Sequence, residues 1–169
     1  MIKMKIIAAV GLLMASALLY AADPVTLNIT GNIVASPCQI SSDSVTIDVD
    51  LGNIQASTLQ TAGASSSWKP ININFNSCPA GTTKIIMTMH GTADTAQPND
   101  LYASTGTAQN VSVQLQSQVG DLLGDGKSIT GNISSGAYTF ALEARALTLN
   151  GGATAGTIKS TVTADVVYN

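Results

Sequence analysis

Residues 25 to 33 read Val-Thr-Leu-Asn-Ile-Thr-Gly-Asn-Ile. Val25, Leu27, Ile29, Gly31 and Ile33 fall at every second position, with Thr or Asn between them. That period puts the apolar set on one face of a strand and the polar set on the other. The strand precedes Cys38, and no hairpin turn ties it to the next alternating segment. An amphipathic strand in that position needs a partner for both its backbone and its apolar face. The pattern alone also fits the ordinary first strand of a sandwich.

The same period recurs along the chain. Val45, Ile47, Val49 and Leu51 alternate with Thr46, Asp48 and Asp50. Ile71, Ile73 and Phe75 alternate with asparagines and lead into Cys78. Lys84 to His90 is a further strand, with Ile86, Met87 and Met89 as candidates for burial. Val111, Val113 and Leu115 mark another, and Tyr138, Phe140, Leu142, Ala144 and Ala146 form one face of a long one. The last runs from about Thr157 to Tyr168, with Ile158, Val162, Val166 and Tyr168 on one side. Pro79 to Gly81 and Gly120 to Lys127 are turn signals, and Asn150-Gly151-Gly152 reads as a hairpin turn. No segment carries a sustained helical stripe, so the expected fold is all-β: a Greek-key sandwich of the immunoglobulin type.

Lys3 and Lys5 precede an uncharged, mostly apolar run from Ile6 to Leu19, and small residues follow at Ala21 and Ala22. This layout is that of a secretory signal peptide over residues 1–21, too short for a comfortable membrane span. Its removal leaves 148 residues, the size of one domain. With the two signal lysines gone, five basic residues stand against ten acidic ones, a net charge of −5. A nucleic-acid partner would call for a basic stripe, so none is expected. In an exported chain the even pair Cys38 and Cys78 implies one disulfide, worth about 4 kcal/mol in the chain-entropy model. A metal or redox site is the weaker alternative, since there is no CxxC and His90 is the single histidine.

Catalysis finds little support. A hydrolase needs a nucleophile with a base in reach, and His90 beside Gly91 reads as a strand-end surface residue. Glu143 is the single glutamate, explained by a same-face ion pair with Arg145. Asp121 and Asp125 lack calcium-loop spacing and read as turn formers. Trp68, between a serine-rich loop and Pro70, is expected to pack in the core, with a sugar-stacking platform as the alternative. No catalytic residue, cofactor or metal is expected.

No further strand follows the one ending at Tyr168 and Asn169 in this sequence. If that strand is the last of an immunoglobulin-like sandwich, the groove beside it is left open. An incomplete sandwich and a spare strand in one chain suggest a head-to-tail assembly that grows as a filament.

On these residues the sequence resembles the chaperone–usher pilins, and among them the minor tip subunits of type 1 fimbriae. Residues 22–34 look like the donor-strand extension, and Asn76-Ser-Cys78-Pro79 like the second half of the pilin disulfide. Gly106-Thr-Ala-Gln-Asn110 and the stretch Leu147 to Thr157 are similar to segments of those minor subunits. Tyr168 in the penultimate position and Gly156 upstream match the family's recognition pattern.

The resemblance implies an incomplete sandwich over residues 35–169 that lacks its last strand, preceded by a donor-strand extension over 22–34. It implies export through the periplasm to a cell-surface fimbrium and no enzymatic activity. A periplasmic chaperone would lend a strand to the groove beside Gly156, Ile158, Val162, Val166 and Tyr168 and hold the carboxylate of Asn169. At the outer-membrane usher, the next subunit's strand would replace it. Val25, Leu27, Ile29 and Ile33 would enter apolar pockets of a neighbour, and Gly31 a shallow one. The implied partners are other pilin subunits, head to tail, with any host receptor reached through a separate tip adhesin. The alternatives are a major rod pilin, a glycan-binding adhesin module, using Trp68 or the Gly91–Asp100 loop, and an exported enzyme.

Overall fold

Ile71, Ile73 and Phe75, spaced by asparagines, lie on a strand next to the central one of a five-stranded sheet. The computed structural model describes residues 28–169. Its strands are β1 (Gln39–Ile40), β2 (Lys69–Asn76), β3 (Lys84–Gly91), β4 (Leu101–Ala103), β5 (Ser112–Ser117), β6 (Ser128–Asn132), β7 (Tyr138–Leu147) and β8 (Val162–Tyr168). One turn of helix, α1 (Ser42–Val45), and a 3-10 turn at Ala56–Leu59 complete the elements. Residues 33–169 form one compact unit, and residues 28–32 are the described part of another.

β2 runs antiparallel to β7 with Ile71 opposite Leu142, Ile73 opposite Phe140 and Phe75 opposite Tyr138. The five-stranded sheet has the order β1-β2-β7-β5-β4, and the three-stranded sheet the order β6-β3-β8. The chain crosses between the sheets after β2, β3, β5, β6 and β7, the signature of a Greek-key sandwich. Phe75 and Phe140 meet edge to face with ring centroids 5.8 Å apart. Ile85, Met87 and Met89 of β3 close on them from the other sheet. The Cys38–Cys78 disulfide joins the start of β1 to the end of β2.

Several expectations are corrected. Ile85, Met87 and Met89 share the buried face of β3, and Ile86 lies on the outer one, half-buried. Two adjacent isoleucines fit either phase, and pairing decides it: Ile86 stands between Thr130 of β6 and Val167 of β8 on the outer face. Val45 to Leu51 is not a strand. Val45 ends α1 and residues 46–55 have no ladder partner, although Ile47 and Leu51 pack on the main core. Asn150-Gly151-Gly152 is a turn but not a hairpin, because β7 and β8 belong to different sheets. Both glycines have positive φ, +78° and +67°, and a side chain on Gly151 would strike the Gln60 carbonyl.

Glu143 and Arg145 share a face without forming an ion pair. Arg145 Nε donates to Gln114 Oε1 at 2.8 Å, and Glu143 Oε1 accepts from Gln116 Nε2 at 2.7 Å. Each charge takes the glutamine opposite it on β5. Trp68 is half-buried outside the core clusters, with the Arg145 guanidinium 4.1 Å from its ring centroid. His90 is the strand-end surface residue expected, between Asp125 (3.8 Å) and Asp165 (3.5 Å).

Candidate functional site

β8 pairs with β3 along one edge, from Ile85 opposite Tyr168 to Gly91 opposite Val162. Its other edge has no strand against it among the described residues. Beside that edge runs a groove of about 1160 Å³. Residues 45–54 form one wall and residues 156–166 the other. The floor is apolar and drawn from both sheets: Ile71 and Phe75 of β2, Leu142 of β7, Leu115 of β5, and Met87 and Met89 of β3. The arrangement explains why 46–55 forms no strand despite its alternation. Both walls have strand-like sequences, and neither has a neighbour on the groove side to complete a ladder.

Of the sequence-predicted groove residues, Gly156, Ile158, Val162 and Val166 line this groove, whereas Tyr168 and Asn169 lie past its lining at the end of β8. Val162, Val166 and Tyr168 are half-buried on β8 and pack against the main core. Tyr168 meets Phe75 edge-on at 6.4 Å, and burial lifts its phenol above the ordinary value. An Asn169 main-chain oxygen accepts the N–H groups of Thr83 (2.6 Å) and Lys84 (2.9 Å), so the end of β8 is tied to the start of β3.

Ile158 and Gly156 lie ahead of β8, which begins five residues later than the alternation suggested. The loop 104–109 has taken their segment's hydrogen bonds. Thr107 N–H donates to Thr157 Oγ1 at 3.0 Å, and Thr157 N–H donates to Thr107 Oγ1 at 2.9 Å. Ala108 N–H donates to the Thr157 carbonyl at 3.0 Å and Thr105 N–H to that of Lys159 at 2.7 Å. This clamp needs Gly156. A Cβ there would lie 2.5 Å from the Ala108 amide nitrogen and 2.8 Å from the Thr107 carbonyl carbon. Ile158 packs into a second cluster with Leu59, Val111, Ala146 and Ala153. Sequence reading missed this clamp; the paired Gly-Thr steps at 106–107 and 156–157 were its visible trace.

Of the expected donor residues, Val25 and Leu27 lie outside the described residues. Ile29 and Ile33 are 84% and 103% exposed, and nothing lies within 4 Å of the position a Gly31 side chain would take. Residues 28–37 contain no strand. Among the described residues no cluster of His, Cys, Asp or Glu is placed to hold a metal, and no helix is long and apolar enough to cross a membrane.

A family model described as Fimbrial protein matches residues 27–169. The chain belongs to this family. The pilin is 39% identical to Protein FimG of Escherichia coli (strain K12) over 160 residues, covering 94% of this chain and 92% of FimG. Among solved structures it resembles the P pilus rod subunit PapA, with a TM-score of 0.68 at 17% identity over 79% of this chain and all of PapA. It also resembles PapF, described as a P pilus adaptor subunit studied for its polymerization reactivity, with a TM-score of 0.54 at 20% identity over 82% of this chain and all of PapF. The protein is thus a structural subunit of a fimbria at the cell surface, with the immunoglobulin-like fold of the pilus subunits it resembles. Its relatives are fimbrial subunits and not enzymes.

Proposed function

We propose that this pilin assembles by donor-strand exchange in a minor, adaptor position. It receives a strand of one neighbour in the groove beside β8 and lends Val25–Ile33 to the groove of another. The observation that carries the reading is the unfilled apolar groove with strand-like walls on both sides. A nine-residue strand spans about 30 Å and matches in residue count the stretch of wall from Ile158 to Val166. The exposed apolar side chains of Ile29 and Ile33 fit the donor role.

Val25, Leu27, Ile29 and Ile33 in apolar pockets contribute a gross ~6–12 kcal/mol, before backbone hydrogen bonds and ordering costs. That favours long-lived contacts. A periplasmic chaperone strand holds the groove of the unassembled subunit, with the Asn169 carboxylate as an anchor, and the usher is where the exchange occurs. A better-fitting incoming strand drives the exchange without a nucleotide. Sequence likeness to FimG over nearly the whole of both chains supports the minor position; the fold, shared with both a rod and an adaptor subunit, is neutral on it.

Deleting residues 22–33 tests the reading. The truncated subunit is expected to remain bound by its chaperone and to accept a donor strand, yet to leave the groove of its neighbour unfilled. Normal incorporation into fibres, seen by immunogold labelling, would refute it.

A further inference from the structure

Charge is spread unevenly over the folded unit, and β7 joins its two uncharged ends. Where β7 starts, the segments 33–37, 76–83 and 132–137 are tied into a base. Thr82 Oγ1 donates to the Ser36 carbonyl, Cys78 N–H to that of Gly136 and Ile133 N–H to that of Thr83, each at 2.9 Å. Where β7 stops, the segments 56–64, 105–109 and 148–158 are tied into the far end. Gly63 N–H donates to the Thr148 carbonyl at 2.9 Å, Ala153 N–H to that of Leu59 at 3.1 Å and Thr154 N–H to that of Gln109 at 3.2 Å. Charged residues make up 10% of the whole chain, yet neither set of segments contains one. The nearest charges stand at the margins: Lys84 and the Asn169 carboxylate at the base, Lys159 and Asp94 at the far end.

The base also holds the root of the candidate donor strand. Ile33 ends the alternating row, and from Ser36 onward the chain is fixed by the Thr82 hydrogen bond and the Cys38–Cys78 disulfide. Only Val34 and Ala35 stand between, and three residue steps span about 11 Å at most. A neighbour that takes Ile33 into its groove is therefore held within that distance of this base. Every ladder in the two sheets is antiparallel. A strand added beside β8 in the same sense ends near the start of β8, where the groove wall continues back to residues 156–158 of the far end.

We propose, resting on the reading that subunits exchange strands, that two subunits sharing a strand also dock end to end. The far end of the acceptor meets the base of the donor, and both surfaces are free of charge. This second contact is made by folded surfaces and lies outside the groove. A charge enclosed between two such surfaces loses water without gaining a partner, which is unfavourable. Charged residues are depleted from the cores of protein interfaces for the same reason. The partner that fits the far end is thus a pilin whose own base is uncharged and whose donor strand is rooted there by a short tether.

The test uses the full mature chain as both donor and acceptor, with a synthetic Ala22–Val34 peptide as a strand that carries no base. Ala155 of the far end and Ala80 of the base are both exposed. Ala155→Lys and Ala80→Glu, made singly, are each expected to weaken association between subunits about tenfold, read by analytical ultracentrifugation. Both are expected to keep the wild-type Tm and to bind the peptide within about twofold of wild type. The double variant is expected to recover most of the loss, because opposite charges then face each other across the contact. Asn72→Glu, on the exposed outer face of β2, is expected to change neither association nor peptide binding. Single variants that associate like wild type, a double variant no better than the singles, or a loss of peptide binding equal to the loss of association would overturn end-to-end docking. So would wild-type copies that bind the peptide but not each other, and all four outcomes leave strand uptake standing. Failure of wild type to bind the peptide would instead sink strand uptake, and end-to-end docking with it.

Discussion

Tyr102 is among the largest side chains from which solvent is fully excluded. Its ring points inward from β4 and its hydroxyl donates to the Leu123 carbonyl. Burial, followed by the negative charge of Asp125, pushes its phenol from 10.0 up to about 12. The folded state therefore keeps this proton where the unfolded chain has lost it. Its contribution is whole below pH 10.0 and is lost as the pH rises toward about 12. Denaturant titrations at increasing pH are expected to show stability falling across that window. Tyr102→Phe is expected to remove this part of the fall, at a cost of about 1 kcal/mol near neutral pH for the lost hydrogen bond. An unchanged alkaline profile in the variant would show that another group governs it.

At the scale of elements, the groove wall is held by two different devices. Val162–Tyr168 is a ladder strand on β3, whereas residues 156–159 hang on the loop 104–109 through reciprocal Thr107–Thr157 bonds. Backbone atoms fill the space where a Gly156 side chain would go, and backbone yields less readily than a side chain. Gly156→Ala is expected to destabilise the subunit by about 1–3 kcal/mol, as overpacking does. Displacement of the wall should also weaken strand uptake beyond what lost stability explains. Comparing urea midpoints with peptide capture under strongly native conditions checks both halves. A variant with wild-type midpoint and wild-type capture would show that the close approach at Gly156 relaxes without cost. The matching step at Gly106, packed against Thr157 and Ile158, belongs to the same clamp.

At the scale of the whole molecule, both sheets contribute to one core, yet the apolar floor of the groove lies beside a sheet edge that nothing completes among the described residues. A segment that binds the folded subunit and not the unfolded chain raises stability by mass action. A peptide carrying a matching alternating row is therefore expected to raise the Tm progressively with concentration. At a hundredfold excess over its Kd the gain is about 2.7 kcal/mol. Thermal melts across a peptide series read this directly. A scrambled peptide with the alternation broken should give no shift, and an equal shift from it would argue that the groove binds apolar surface without regard to strand pattern.

The sequence by itself determined the fold class, the paired cysteines and the inward faces of β2 and β7, because there the large apolar residues recur at every second position and only one phase gathers them on one side. It could not phase β3, where Ile85 and Ile86 offer both faces and the pairing with Thr130 and Val167 decides. It read residues 45–51 as a strand because the pattern is there; whether a ladder forms depends on a neighbour, which no local pattern contains. Trp68 was expected in the core and instead lies under Arg145, a contact between residues far apart in the chain that only the β2–β7 register creates. The late start of the β8 ladder and the clamp on Gly156 are likewise products of tertiary structure. Alternation is a local property that sequence carries in full, whereas hydrogen-bond satisfaction is settled by which segments meet.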